Sequence, residues 1–442
     1  MGIEYGYEIP ISNSVELEHW IQEGLEEDLR RKEYLRVVED CLDFHDDVRS
    51  LSYRIPAEDK DSTAIARMVI ALRLAECIKN APLPECHRGQ RHLEVPSYDT
   101  LSTPFTVDRP PDRALYSVSH ASSRQSSDAW FSGLSKLIPV LEMKGHSAKM
   151  SSPTPVKIAL LDTGLNEKYK GWVPPTNYHD FIDPSQTNYQ DTTDHGTKMF
   201  RVLRRVYSNA EIYIGRVFET KEASQQTADL MEKAINHAVS SEGWAVDIIA
   251  MPSGFETVHD GILKAIINAT SNGEKPVLIF ASPSNWSNTR EVAFPGRLYK
   301  HGRLISMFST TSRNKPTPEF NPAPSSPGRY NLAIFGERVI IPPDQEPLDG
   351  TSVSTMIGAG LAGRILSFAH HPDNADKIPS LSHLRLTEGM SSVFKAMSFH
   401  ENGYDCVQPE LLLPPDHVKS DTGVYIERVR ETIRTQLDNL YR

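Results

Sequence analysis

The sequence predicts an α/β protein, a parallel sheet covered by helices on both faces, preceded by a mainly helical N-terminal region. Three observations predict it. From Val156 onward, the short apolar runs VKIALLD, AEIYIGRVF, VDIIAMPSG and PVLIFASPS alternate with segments of helical periodicity. Buried strands of about four to eight apolar residues, separated by helices of about ten or more, are the pattern of βαβ units. Earlier in the chain, Leu17, Ile21, Leu25 and Leu29 recur every four residues among many Glu, Asp and Arg, the stripe of an amphipathic helix. Between these zones lies a stretch rich in proline and serine that favours neither period.

The helical zone runs from about Ser14 to Ile78, with Leu35, Val38, Leu42 and Leu51 continuing the stripe. Asp61, Ser62 and Thr63 can cap a further helix through Ile65, Val69 and Leu72. Residues 79 to about 128 read as irregular, interrupted by Pro82, Pro84, Pro96, Pro104, Pro110 and Pro111. A short amphipathic helix follows, carrying Trp130, Leu134, Leu137, Ile138 and Leu141, and MKGHSAKMSSPTP reads as a linker. Within the α/β part, one helix passes through Leu230, Ala234 and Ala238 and another spans Ile262 to Ile267. The last helix, about Val424 to Leu440, places Ile426, Val429, Ile433, Leu437 and Leu440 on one face, to pack on the body or contact another copy. The expected division is therefore 1–150, 151–414 and 415–442.

Composition narrows the function. A net charge of −11 and a pI near 5.8 argue against nucleic acid as the partner, because phosphate binding needs a basic face. Cys41, Cys77, Cys86 and Cys406 include no CxxC pair and are too few for a disulfide framework. Cys86, His87 and His92 sit too close together for a zinc site, and no second cluster completes them, so no metal is expected. The first twenty residues lack a basic stretch followed by an apolar one, and Gly2 lacks the downstream Ser/Thr of a myristoylation signal. No window of about 18 consecutive apolar residues exists to span a membrane. A cytoplasmic address and no membrane partner are the expectation.

Reactive groups of parallel-sheet proteins lie at the carboxyl ends of strands. Three such places stand out. IALLDTG ends a strand on Asp162, TTDHGTKMFRVL opens a helical run at His195, and DGTSVSTMIGAGLAGRIL puts Ser352 at the start of a helix rich in Ala and Gly. Singly, each has a structural role open to it: a turn aspartate, a satisfied core histidine, a helix-capping serine. Together they supply a hydroxyl nucleophile, an imidazole to take its proton and a carboxylate to orient the imidazole. The chain order Asp, His, Ser is one of three known for this constellation. Gly358, Gly360 and Gly363 match G-x-G-x-x-G, but they fall inside a helix rather than between strand and helix, so nucleotide binding is not expected.

On these motifs the sequence resembles the subtilisin-like (S8) serine peptidases over about residues 155–414. Residues 156–164 resemble the family's strand ending in D-[ST]-G, residues 195–197 its H-G-T, and residues 350–352 its G-T-S. FASPSN resembles the strand that ends on the oxyanion asparagine, which the resemblance places at Asn285. MPSGF falls where the substrate-binding strand sits, implying that Ser253 and Gly254 contact substrate. GRVFETKEASQQTADLMEKAINHAV, AFPGR and LISMFSTTSR resemble further segments of the domain, and LTEGMSSVFKAMS with NGYDCVQPELLL resembles a tail of intracellular fungal subtilase domains. Four positions depart from the family pattern. Lys198 replaces a usual His, Ser354 stands at a small-residue position, and Pro252 and Pro283 interrupt strands of the cleft.

The resemblance implies a serine endopeptidase acting through an acyl-enzyme on Ser352, with Asp162 and His195 as partners and Asn285 in the oxyanion hole. The alternative is a catalytically weak or inactive module of the same fold that acts through its N-terminal helices. The expected partner is a protein or peptide substrate, with a further protein partner possible for those helices. No cofactor is expected; calcium enters only through the resemblance, with no site identified. The first 150 residues are unlike the compact propeptide of secreted relatives and read as a region that restrains the enzyme or docks a partner.

Overall fold

The computed structural model describes residues 105–106, 120–143, 155–220, 222–271, 275–283, 292–324, 330–344, 346–413 and 422–440. All lie in one compact unit, Leu101–Arg442. The helical zone predicted for Ser14–Ile78, the Cys86–His92 cluster and Asn285 fall outside the described residues.

Twelve strands and seven longer helices make up the described part. The strands are β1 (Phe105–Thr106), β2 (Lys157–Asp162), β3 (Tyr178–Asp180), β4 (Glu211–Arg216), β5 (Glu222–Ala223), β6 (Ile248–Met251), β7 (Leu278–Ala281), β8 (Ile305–Ser306), β9 (Phe308–Thr310), β10 (Leu332–Phe335), β11 (Ser398–Glu401) and β12 (Tyr404–Val407). The helices are α1 (His120–Leu141), α2 (His195–Val206), α3 (Gln225–Val239), α4 (Asp260–Ser271), α5 (Thr351–Ala369), α6 (Thr387–Ala396) and α7 (Thr422–Leu440). The main sheet has six strands in the order β3-β4-β2-β6-β7-β8, every pair parallel. Its central strands are buried along their length, which is why they read as unbroken apolar runs and not as alternating ones.

α2 and α5 pack on each other and on the sheet, and α3 and α4 do the same as a second pair. Ser224 caps α3 with a reciprocal bond to Thr227, and Ala228, Met231, Ala234, Ile235 and Ala238 face the core. Leu230 is only half-buried, one position off the core face. α5 is long and apolar enough to cross a membrane by composition, yet nearly every residue is buried inside the protein. Its glycines fit against neighbours: a Cβ at Gly360 would lie 2.8 Å from Val206, and one at Gly363 would lie 2.8 Å from Tyr207. The G-x-G-x-x-G match is thus a helix-packing surface.

Beyond α5 lies a second sheet, β11-β12-β10-β9, closed by an antiparallel hairpin through Asn402 and Gly403. Both turn residues have positive φ, 51° and 83°, as a two-residue hairpin of this kind demands.

α1 begins at His120, earlier than the predicted start near residue 129. The added turns, HASSRQSSD, have no apolar stripe to announce them. Ser127 explains part of the extension: it is fully buried, donates to Ile340 O and accepts from Ile340 N at 3.0 Å. Trp130 stacks at 5.1 Å on Phe335 of β10, and Leu137 is fully buried. Glu142, just past α1, meets the buried Arg364 of α5 at 2.9 Å. α1 is therefore part of the α/β body. α7 packs on α1 and α6 through Ile426, Val429, Ile433 and Leu437, with Leu440 at the margin.

Candidate active site

The carboxyl ends of β2 and β6 stand side by side, paired from Ile158–Ile248 to Leu160–Ala250. Two residues beyond the last pair come Asp162 on one strand and Pro252 on the other. Neighbouring strands run about 4.8 Å apart, so these positions are adjacent. Asp162 and His195 are both buried, and His195 Nδ1 lies 2.7 Å from Asp162 Oδ1. An ionised carboxylate can only accept, so Nδ1 carries the proton and Nε2 is left with its lone pair. Thr163 N donates to the same oxygen at 2.7 Å, fixing the carboxylate from behind.

Ser352 is the second residue of α5 and is buried. Its Oγ donates to Pro252 O at 2.6 Å, placing the hydroxyl beside the β2–β6 strand ends. α2, which opens on His195, packs along α5. Asp162, His195 and Ser352 are thereby gathered at one end of the sheet.

Ser253 and Gly254 follow Pro252 on a segment that pairs with 292–294; Phe255 N donates to Phe294 O at 2.6 Å and Phe294 N to Phe255 O at 2.8 Å. Gly254 approaches this partner so closely that a Cβ would lie 2.9 Å from Ala293 Cβ. Ser253 Oγ is buried with no hydrogen-bond partner among the described residues. Asn285 is not described, but the segment leading to it is: Ser282 Oγ meets Thr351 Oγ1 at 2.6 Å, tying the end of β7 to the residue before Ser352.

Each departure from the family pattern makes a described contact. Pro252 O accepts the Ser352 hydroxyl, and Pro283 O accepts from Ala293 N at 2.5 Å. Ser354 is buried and donates to Ile334 O at 3.1 Å, fastening α5 to β10. Lys198 points to Asp194, with 3.9 Å between charged atoms.

The loop ahead of His195 contains a residue that sequence reading passed over. Asp191 accepts six hydrogen bonds. Oδ1 receives Thr163 Oγ1 at 2.8 Å, Asp194 N at 2.9 Å, and Thr193 N and Oγ1 at 3.2 Å each. Oδ2 receives Thr197 Oγ1 at 2.6 Å and Thr197 N at 2.7 Å. The signal was available: an aspartate followed by Thr-Thr-Asp is a composition that turns back on its own backbone. Glycine is required where the two loops meet. A Cβ at Gly196 would lie 2.4 Å from Gly164 O, and Gly164 has φ 108° with a Cβ position 2.0 Å from Gln190 O. Beside this loop Tyr178 stacks on Tyr189 at 4.2 Å, and burial pushes its phenol up to about 12.

A segment from ahead of α1 pairs with the chain a few residues downstream of β4. β1 pairs antiparallel with β5, Phe105 opposite Ala223 and Thr106 opposite Glu222. β5 lies just beyond Val217 and Phe218, whose amides both donate to Asp162 O.

Among the described residues no three His, Cys, Asp or Glu side chains converge as a metal site requires, and none is assigned to calcium.

No family model matches the chain. The subtilisin-like protease het-Q2 of Podospora anserina is 22% identical over 295 residues, covering 55% of this chain and 79% of that protein. Among solved structures, MycP1 with its N-terminal propeptide removed is similar at 16% identity and a TM-score of 0.43, covering 63% of this chain and 97% of that one. A lanthipeptide protease is similar at 16% identity and a TM-score of 0.47, covering 65% and 93%. The chain resembles the subtilisin-like (S8) serine peptidases.

Proposed function

We propose that the protein is a serine endopeptidase in which Ser352 is the nucleophile, His195 the general base and Asp162 its orienting carboxylate. The observation that carries this is the buried 2.7 Å contact between His195 Nδ1 and Asp162, beside the helix whose second residue is Ser352. The Ser352 hydroxyl turns from Pro252 O toward His195 Nε2, gives up its proton and attacks the peptide carbonyl carbon. The imidazolium then protonates the leaving amine, the acyl-enzyme remains on Oγ, and water repeats the sequence to release the acid. The first-turn amide of Ser352 lies at the positive end of a 19-residue helix, suited to the developing oxyanion. Asn285 would add a second donor, a role supported by the link that holds its strand end against Thr351. A fluorophosphonate should label Ser352 alone; a protein that takes no label would be the inactive module instead.

If Asn285 serves the oxyanion, Asn285→Ala lowers kcat by about 10²–10³ with little change in KM. A loss confined to KM would assign Asn285 to structure or substrate contact.

We also propose that the chain ahead of α1 restrains the site. An exposed strand edge accepts extended peptide through its backbone, and β1 holds that edge at Glu222–Ala223. A chain beginning at Ser119 keeps α1 and loses β1. Its kcat/KM on a peptide should exceed that of the full chain, while hydrolysis of a small ester stays the same. Equal peptide activity in the two would sink the idea.

A further inference from the structure

We infer that Asp191 is a positioning residue for the Asp162–His195 pair, an inference that rests on the peptidase reading above. The two side chains come from different segments, one from the end of β2 and one from the start of α2, and a hydrogen bond between them requires the segments to be fixed mutually. Asp191 is the group that fixes them. Through Oδ1 it holds Thr163, the neighbour of Asp162, and through both oxygens it holds residues 193, 194 and 197 around His195.

The carboxylate also orders a second layer. Thr163 Oγ1, oriented by its donation to Asp191, accepts from Gly196 N at 2.8 Å. Thr193 Oγ1 accepts from His195 N at 3.1 Å, and Thr197 Oγ1 accepts from Asn166 N at 2.9 Å. Each threonine hydroxyl thus donates toward the carboxylate and receives a backbone amide of a segment carrying a catalytic group, except that Thr193 shares its proton with Thr163, 3.0 Å away. Asp194 is held at φ 62° where the chain turns into α2, a left-handed conformation that needs outside support in a residue with a side chain. The hydrogen bond that Asp194 N donates to Asp191 Oδ1 gives it.

A carboxylate accepts on both oxygens and donates on neither, as these six donors require, with the two 3.2 Å contacts from Thr193 the weaker ones. Asparagine has the same shape, but its NH₂ would face the Thr197 amide donor-to-donor. In Asp191→Asn the two segments loosen, and the His195–Asp162 contact with them. Misplacement of a reacting group by about 1 Å costs up to about 10²-fold. A slackened contact also stabilises the imidazolium less, so His195 gives up its proton more readily. Because the neutral imidazole is the active base, the acidic limb of kcat then moves to lower pH.

The test follows p-nitrophenyl acetate hydrolysis by the full chain and its variants across pH, with thermal melting in parallel. Asp191→Asn should lower kcat about 10- to 100-fold with KM nearly unchanged and shift the acidic limb downward. Thr163→Val should reproduce both effects more weakly and Thr163→Ser, which keeps the hydroxyl, should return kcat and the pH profile to wild type, which answers the question if Asp191→Asn does not fold. Asp247→Asn is the reference for a purely structural loss. Asp247 binds Lys157 N and Arg385, both at 2.8 Å, at the opposite end of β2, so that variant should melt lower and keep its kcat and pH profile. Wild-type kcat and pH profile in both Asp191→Asn and Thr163→Val would overturn the inference. So would a fall in kcat without the pH shift. A wild-type protein that neither hydrolyses the ester nor takes a fluorophosphonate at Ser352 overturns the peptidase reading itself, and this inference with it.

Discussion

Ser352→Ala is expected to abolish peptide hydrolysis, lowering kcat by about 10⁶-fold while the protein stays folded. The two halves of that expectation have separate causes. Catalysis is lost because alanine has no oxygen to form the acyl-enzyme, leaving only binding and oxyanion stabilisation to accelerate attack by water. Folding survives because the hydroxyl makes one described bond, to Pro252 O, and losing a single neutral hydrogen bond costs about 1 kcal/mol. His195→Ala should be nearly as damaging, and the double variant little worse than either, since nucleophile and base act as a unit. Casein cleavage with melting curves decides the matter. An alanine variant that cleaves at the normal rate would show that the nucleophile lies elsewhere.

Asp162→Asn should lower kcat by about 10⁴-fold with KM and stability almost unchanged. Asp162 Oδ1 accepts from both Thr163 N and His195 Nδ1. Asparagine has one accepting oxygen and one NH₂. If the oxygen keeps the Oδ1 place it still accepts from both, but the negative charge that stabilises the imidazolium is lost; if the NH₂ takes that place, the amide donor faces the ring and stabilises the tautomer with its proton on Nε2. That tautomer cannot take the Ser352 proton. The side chain keeps its size in a fully packed place, so the loss is chemical. Fluorophosphonate labelling should slow in proportion to kcat. A variant within about tenfold of wild type would mean that the buried contact only holds the fold.

The apolar runs predicted as strands at 156–162, 210–218, 246–254 and 276–284 each contain one, at Lys157–Asp162, Glu211–Arg216, Ile248–Met251 and Leu278–Ala281, because a strand buried on both faces is apolar along most of its length. The order and placement of Asp162, His195 and Ser352 were legible for a related reason: each ends or opens an element, and Gly164, Gly196 and Gly350 mark those boundaries. Asp191 was not legible as a hub. Its place four residues before His195 is local, but its bond to Thr163 closes a gap of 28 residues that no periodicity records.

By itself, then, the sequence indicated the α/β class and four strands of the main sheet with the helices between them, and it singled out three side chains suited to acyl-transfer chemistry. Tertiary structure alone decided that α1 belongs to the body, through Ser127 on Ile340 and Glu142 on Arg364, pairs more than 200 residues apart in the chain. It also decided that Phe105–Thr106 lies on the edge at Glu222–Ala223, that β9, β10 and β12 form a second sheet, and that G-x-G-x-x-G is a packing surface. The physical reason is the same throughout. Local period and turn chemistry are set by neighbours along the chain. Which buried donor meets which acceptor is set by how the elements pack in space, and a serine or arginine looks the same in the sequence whatever partner the fold brings to it.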